Sequence, residues 1–379
     1  MPTNTAIWRT VCGSQLATDL TSVLAAETLV ISPVRVPGNR GQAATAAAFE
    51  REPVSIGALG RLMMGGRNRD DATLAAADAY AELTALASVW GGAVEAAPAA
   101  QAAPTGAVVA LEPLAAAGYE RAPQAADHGA TLRELSKETG VTLLRGTNGG
   151  WAADVSIADA VSRITDALND PAGPAGVIGA LPIPSTNEAA VFLEQAARLA
   201  AETGVSLVLD GETALTPTPD GWDARVRSAL DIIDRAGLGR DRVVIAGITS
   251  LIAERHTSGR FGVGIDPERL GRVTALGTAL CFDGLGRIPN VTTVVSDHDI
   301  AVAIMGLAAD GHADRLLLSC GITQKHRLTA FGGNGLGFIT QQYAPYLGMF
   351  GADAALLTAV TGGNAARIFA LTAAEEAQA

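Results

Sequence analysis

The sequence predicts a (β/α)8 barrel, a closed ring of parallel strands wrapped by helices, on three observations. Short apolar runs recur along the chain, and they are apolar throughout rather than alternating, as strands buried on both faces must be. Amphipathic segments separate these runs. That alternation specifies right-handed strand–helix–strand units around a parallel sheet. The length of 379 residues exceeds an ordinary domain but suits one barrel with insertions.

Taken in order, the first strand falls within Thr21–Ile31. The second admits two placements, Ala93–Ala97 and Ala107–Leu111. Between them AAPAAQAAPTG is low in complexity and rich in alanine and proline, so a surface insertion is expected near 97–106. Further strands are expected at Leu143–Arg145, Gly176–Ala180, Ser206–Leu209, Val243–Ala246, Ala279–Phe282 and Leu316–Ser319. Of the helical segments, Asn187–Thr203 places Ala190, Leu193, Ala197 and Ala200 on one stripe, and Asp223–Ala236 is similarly amphipathic. Glycines just past Thr139, Thr203 and Ala236 mark helix ends. No second domain and no internal repeat is visible, so residues 1–379 read as one barrel domain.

Composition narrows the function. A net charge of −12 argues against nucleic acid or an anionic membrane as partner, since both call for basic patches. Three cysteines (Cys12, Cys281, Cys320) without paired spacing give neither a disulfide framework nor a zinc ribbon. The opening MPTNTAIWRTVCGS lacks the pattern of a secretory signal, and no apolar run reaches the ~18 residues of a membrane span. A cytoplasmic protein acting on a small molecule is the expectation.

In a parallel barrel the chemistry sits at the carboxyl ends of the strands. There the sequence places Ala26-Glu27-Thr28, Glu95 or Glu112, Arg145-Gly146-Thr147-Asn148, Ala180-Leu181-Pro182, Asp210-Gly211-Glu212, Gly247-Ile248-Thr249, Asp283-Gly284 and Cys320-Gly321. None of the five histidines (His128, His256, His298, His312, His326) is among them, and none is spaced to share a metal with another.

Several stretches carry a family likeness. TVCGSQLATDLTSVLAAETL is similar to an opening in which Thr-Val-x-Gly leads into a first strand ending His-Glu-His-Leu. REPVSIGALGRLMMGGRNRDD and LRELSKETGVTLLRGT resemble the segments that follow, and LSCGITQKHRLTAFGGNGLGFI with GGNAARIFAL resembles the last strand, its lysine–histidine loop and the terminal helix. The chain thus resembles the phosphotriesterase family of the amidohydrolase superfamily over nearly its whole length. The resemblance implies a TIM barrel, a homodimer and a binuclear metal centre, usually zinc, that activates a bridging hydroxide. Its ligands are two histidines on strand one, a carboxylated lysine or glutamate on strand four, a histidine on each of strands five and six, and an aspartate on strand eight. Aligned residue by residue, these positions hold Ala26, Thr28, Ala180, Asp210, Gly247 and Gly321. Only Asp210 is a competent ligand, and one carboxylate does not hold zinc. The sequence therefore predicts no metal and no cofactor, and an enlarged barrel mouth suited to a small organic molecule.

Candidate residues each carry two readings. Asp210, in an apolar mouth, suits general acid–base work, or it is tied to a loop or to Arg145. Asp283 resembles a family aspartate at the end of strand seven. Glu27 survives from the His-Glu-His stretch as a candidate acid, although period-two alternation turns it away from a lumen faced by positions 26 and 28. Arg145 grips a substrate anion or pairs with an acid. Lys325, His326 and Arg327 lie on a loop expected to overhang the site and contact substrate. Cys320 near His326 has the makings of a nucleophile pair, but alternation buries its thiol behind Gly321. The glycines of 331–337 fit loop geometry rather than a dinucleotide fingerprint. Ser296-Asp297-His298-Asp299 reads as a helix cap with an exposed histidine.

Overall fold

The computed structural model describes residues 6–17, 20–35, 43–95, 105–114, 120–121, 127–152, 154–216, 221–255, 261–289 and 295–371. His256 and most of the expected insertion (97–104) lie outside them. Eight parallel strands form the barrel: β1 (Leu20–Glu27), β2 (Thr105–Ala110), β3 (Thr142–Thr147), β4 (Ala175–Pro182), β5 (Ser206–Asp210), β6 (Val243–Ala246), β7 (Ala279–Phe282) and β8 (Leu316–Leu318). Backbone pairing runs from β1 to β8 in sequence order. The later of the two placements for strand two is therefore right. Ala93–Glu95 instead end a long helix, α1 (Ala76–Glu95), an alanine-rich segment of high helix propensity.

Period two sorts each strand between two cores. Val23, Ala25, Ala107, Val109, Leu144, Val177, Val208, Val244, Ala279 and Leu317 fill the barrel interior. Leu24, Val108, Leu143, Ile178, Leu207, Ile245, Leu280 and Leu316 face the helices. The lower end of the barrel is plugged by Trp8, which meets Phe369 edge to face at 6.2 Å. The outer layer includes α2 (His128–Thr139), α3 (Ile157–Leu168), α4 (Asn187–Thr203), α5 (Trp222–Arg235), α6 (Pro267–Thr274) and α7 (Asp297–Ala309). Glycines in the left-handed region stop α2 and α4 where the sequence placed them, at Gly140 (φ 74°) and Gly204 (φ 65°). Ser296 and Asp299 close α7 with a reciprocal capping box.

The seam between β8 and β1 is bridged by a side chain. Glu27 Oε1 accepts from Ser319 Oγ (2.6 Å), Cys320 N (2.5 Å) and Gly321 N (3.1 Å), and Oε2 accepts from Ile322 N (3.0 Å). Ser319 Oγ in turn accepts from Ala26 N at 3.0 Å. A carboxylate that would be costly to bury alone satisfies a run of amide donors where the ladder ends.

Candidate active site

A cavity of about 970 Å³ opens at the carboxyl ends of the strands. All six positions aligned with metal ligands line it: Ala26, Thr28, Ala180, Asp210, Gly247 and Gly321. Asp283, Glu112, Glu212, Arg225 and Arg287 add its charged groups. Leu111, Pro113, Leu114, Pro182 and Ile183 supply an apolar wall. The volume is that of a site for a small organic molecule.

Asp210 ends β5 and caps the short 3-10 turn that follows, accepting from Glu212 N at 2.9 Å. Asp283 follows β7, and its Oδ2 accepts the Gly247 amide proton at 3.0 Å. Both carboxyls are pushed up to about 7. For Asp210 the first cause is burial, then repulsion by Glu212 and by Asp283. For Asp283 it is burial, then Glu212, opposed by Arg287. Glu212, more exposed, accepts from Ser250 Oγ at 2.6 Å. Glu112, at the end of β2, accepts from Asn148 N (2.8 Å) and Thr147 Oγ1 (3.2 Å), and burial raises its pKa.

The other anticipated residues face elsewhere. Glu27 serves the β8–β1 seam, behind Ala26 and Thr28, as alternation requires. Arg145 points into the helix layer, where Nη1 meets Asp170 Oδ2 and Gly173 O, both at 2.9 Å. It is thus neither a partner of Asp210 nor a wall of the cavity. Lys325, His326 and Arg327 are buried under the loop rather than overhanging the cavity. Lys325 Nζ binds Asp70 Oδ1 at 2.6 Å, and His326 Nδ1 lies 2.8 Å from Asp71 Oδ1. Arg327 donates to Gly321 O and Leu285 O, both at 2.9 Å. The two family-like segments, RNRDD and QKHR, are therefore clamped to each other. Cys320 is buried, its thiol pushed well up by burial and aimed at Gly335 O (3.6 Å).

One charged group of the cavity was placed by the sequence without a role, and two more carried no signal there. Glu212 stood at a strand end but carried no motif. Arg225 reaches from α5 to the carbonyls of Ala214, Thr216, Ile183 and Pro184, a convergence with no signal in sequence. Arg287 follows Asp283 by four residues and was hidden in an ordinary glycine loop.

The binuclear zinc centre that the resemblance implies does not fit these residues. Alanine and glycine bring no donor atom. The surroundings have also closed over two of the positions. A Cβ on Gly321 (φ 60°) would stand 2.0 Å from Asp283 O, and one on Gly247 (φ 68°) would stand 2.9 Å from Glu212 Cγ. Among the described residues no group of three or more histidine, cysteine, aspartate or glutamate side chains is placed to hold a metal ion.

Residues 234–369 match the sequence model of the phosphotriesterase family. No curated protein matches the sequence. Among solved structures, a resiniferatoxin-binding protein from Rhodobacter sphaeroides is 25% identical with a TM-score of 0.73, over 96% of this chain and 95% of its own. A phosphotriesterase-like lactonase mutant from Deinococcus radiodurans is 20% identical (TM-score 0.62, 96% and 99% covered). A lactonase from Listeria monocytogenes is 15% identical (TM-score 0.64, 97% and 100% covered). The chain is thus similar to the phosphotriesterase family by sequence over residues 234–369, and similar in fold to these barrels over nearly its whole length.

Proposed function

We propose that the protein is a metal-independent enzyme that acts on a small organic substrate by acid–base chemistry. The observation that carries this is the pair Asp210 and Asp283, set about Gly247 in a cavity lined by the substituted ligand positions, with both carboxyls titrating near 7. A group poised at the working pH moves protons most effectively in either direction. Asp210 is the residue assigned to proton transfer, and Asp283 the second carboxyl that shares its charge. Elimination, isomerisation, cyclisation and the opening of an ester or lactone all need such a positioned acid and base. The lactonase likenesses favour the last of these. Attack by a metal-bound hydroxide is not part of the proposal, because the donor set does not supply its ligands. The test is a panel of esters, lactones and β-substituted acids assayed with metal-free protein and with Asp210→Asn. Turnover that vanishes in the variant supports the reading. Turnover that persists in it, or that requires added zinc, refutes it.

A second reading is a non-catalytic binding protein. It is favoured by the likeness to the resiniferatoxin-binding protein and by the apolar wall of the cavity. Saturable binding of an apolar ligand with no turnover in the panel would select it. The homodimer implied by the family is likewise proposed, and light scattering on the eluted protein tests it.

A further inference from the structure

Arg225 and Arg287 are the cavity's arginines, and their circumstances differ. The guanidinium of Arg225 is occupied by four main-chain carbonyls. That of Arg287 is exposed and makes no hydrogen bond or ion pair among the described residues. Acids influence it through space only. It lowers the titration of Asp283 and Asp297, yet neither carboxylate comes within ion-pair reach of it. It is also crowded by like charge. Arg327, buried just behind Gly321, is brought down to about 10 by burial and then by Arg287. The strand-eight position that holds an aspartate in the family holds Gly321 here, so no acid at that position separates the two arginines. An oxyanion placed at Arg287 would relieve that repulsion and fill its open donors.

We propose that Arg287 anchors an oxyanion of the substrate, a carboxylate or a phosphate group, at the mouth of the cavity. The proposal rests on the functional reading above in taking this cavity as the substrate site. It deepens that reading by naming the substrate class: a small acid or phosphate ester whose reacting carbon reaches Asp210 while its anion is held at the rim. Planar guanidinium geometry suits both anions, because two parallel N–H donors match two oxygens. Asp283 and Glu212 line the same cavity and oppose an anion, so the anchor must act at the rim rather than at the floor.

The experiment is calorimetric binding of benzoate, phenyl phosphate, benzamide and benzylammonium to the full chain at neutral pH. Wild type, Arg287→Gln, Arg287→Lys and Asp210→Asn are compared. Because Arg287 makes no hydrogen bond or ion pair among the described residues, Arg287→Gln should melt as wild type does. One or both oxyanions should bind at least about tenfold more tightly than benzamide and benzylammonium, the worth of a charge-assisted pair. Arg287→Gln should erase that preference, Arg287→Lys should retain part of it, and Asp210→Asn should leave it in place. Tighter binding of benzylammonium, no binding of either oxyanion, or an oxyanion preference indifferent to Arg287→Gln overturns the proposal. If Asp210→Asn abolishes turnover while Arg287→Gln leaves oxyanion binding untouched, the anchor is wrong and the catalytic reading stands. If turnover ignores Asp210 but oxyanion binding depends on Arg287, the anchor stands without it.

Discussion

Asp210 and Asp283 approach the same small residue from the strands on either side of it. Asp283 Oδ2 accepts the Gly247 amide proton at 3.0 Å, and Asp210 Oδ1 lies 3.3 Å from where a Cβ on Gly247 would stand. Glycine at this strand-six position lets two carboxyls share one corner of the cavity. Burial first, then repulsion by Glu212, brings both into the physiological range, with Asp283 adding to the rise of Asp210.

If Asp210 moves the proton, Asp210→Asn should lower kcat by ~10²–10⁴-fold. In the wild type, a reaction in which Asp210 acts as base should gain rate as pH rises through about 7. A rate–pH profile on the best substrate of the panel checks this. A profile with no inflection near that value would contradict the assignment.

The same shifts have a cost in stability. The folded pKa values of about 7 lie above the ordinary value of 3.8, so between the two the folded protein holds more protons than the unfolded chain. Stability from these groups is therefore complete at acid pH and is lost as pH climbs to about 7. Asp283→Asn should stabilise the protein at pH 8 by on the order of 1–3 kcal/mol and change little at pH 4. Urea unfolding at the two values measures the difference. A destabilised variant at pH 8 would mean the carboxylate is held by interactions not accounted for.

Glu27 should be structural rather than catalytic. Glu27→Gln turns one of the two carboxylate oxygens into a donor facing the amides of Ser319–Ile322. A loss of roughly 3–5 kcal/mol is expected, as for other buried charged groups stripped of their partners. Chemical denaturation should show it while residual ligand binding persists in the folded fraction. An unchanged midpoint with lost turnover would return Glu27 to the catalytic set.

Restoring the family's ligands one at a time should fail. Gly321→Asp forces a Cβ to within 2.0 Å of Asp283 O on a left-handed backbone. Strain of about 3 kcal/mol or more is expected from that overlap and conformation together. A lowered melting temperature without zinc uptake is the predicted result, and a stable zinc-binding variant would show that this backbone can reopen.

Much of this was legible in the sequence because it followed from local periodicity. Apolar runs gave the strands, glycines gave the helix ends, and alternation placed Ala26 and Thr28 on the cavity, Glu27 away from it and Cys320 behind Gly321. What alternation does not report is the partner of a long side chain. Arg145 finds Asp170 across 25 residues, and Lys325 finds Asp70 across 255. Both arginine and lysine at loop edges look like anion binders until the acid that satisfies them is located. Arg287 was missed for the converse reason: nothing local distinguishes it, without a partner among the described residues, from a paired arginine.

The most direct measurement is the metal content of protein purified without chelators, followed by zinc and cobalt add-back. Less than ~0.1 equivalent per chain, with no tight uptake on add-back and with Asp210-dependent turnover intact, is the predicted result. Roughly one or two tightly held equivalents, required for turnover, would contradict the account and make the protein a metallohydrolase with ligands other than those aligned.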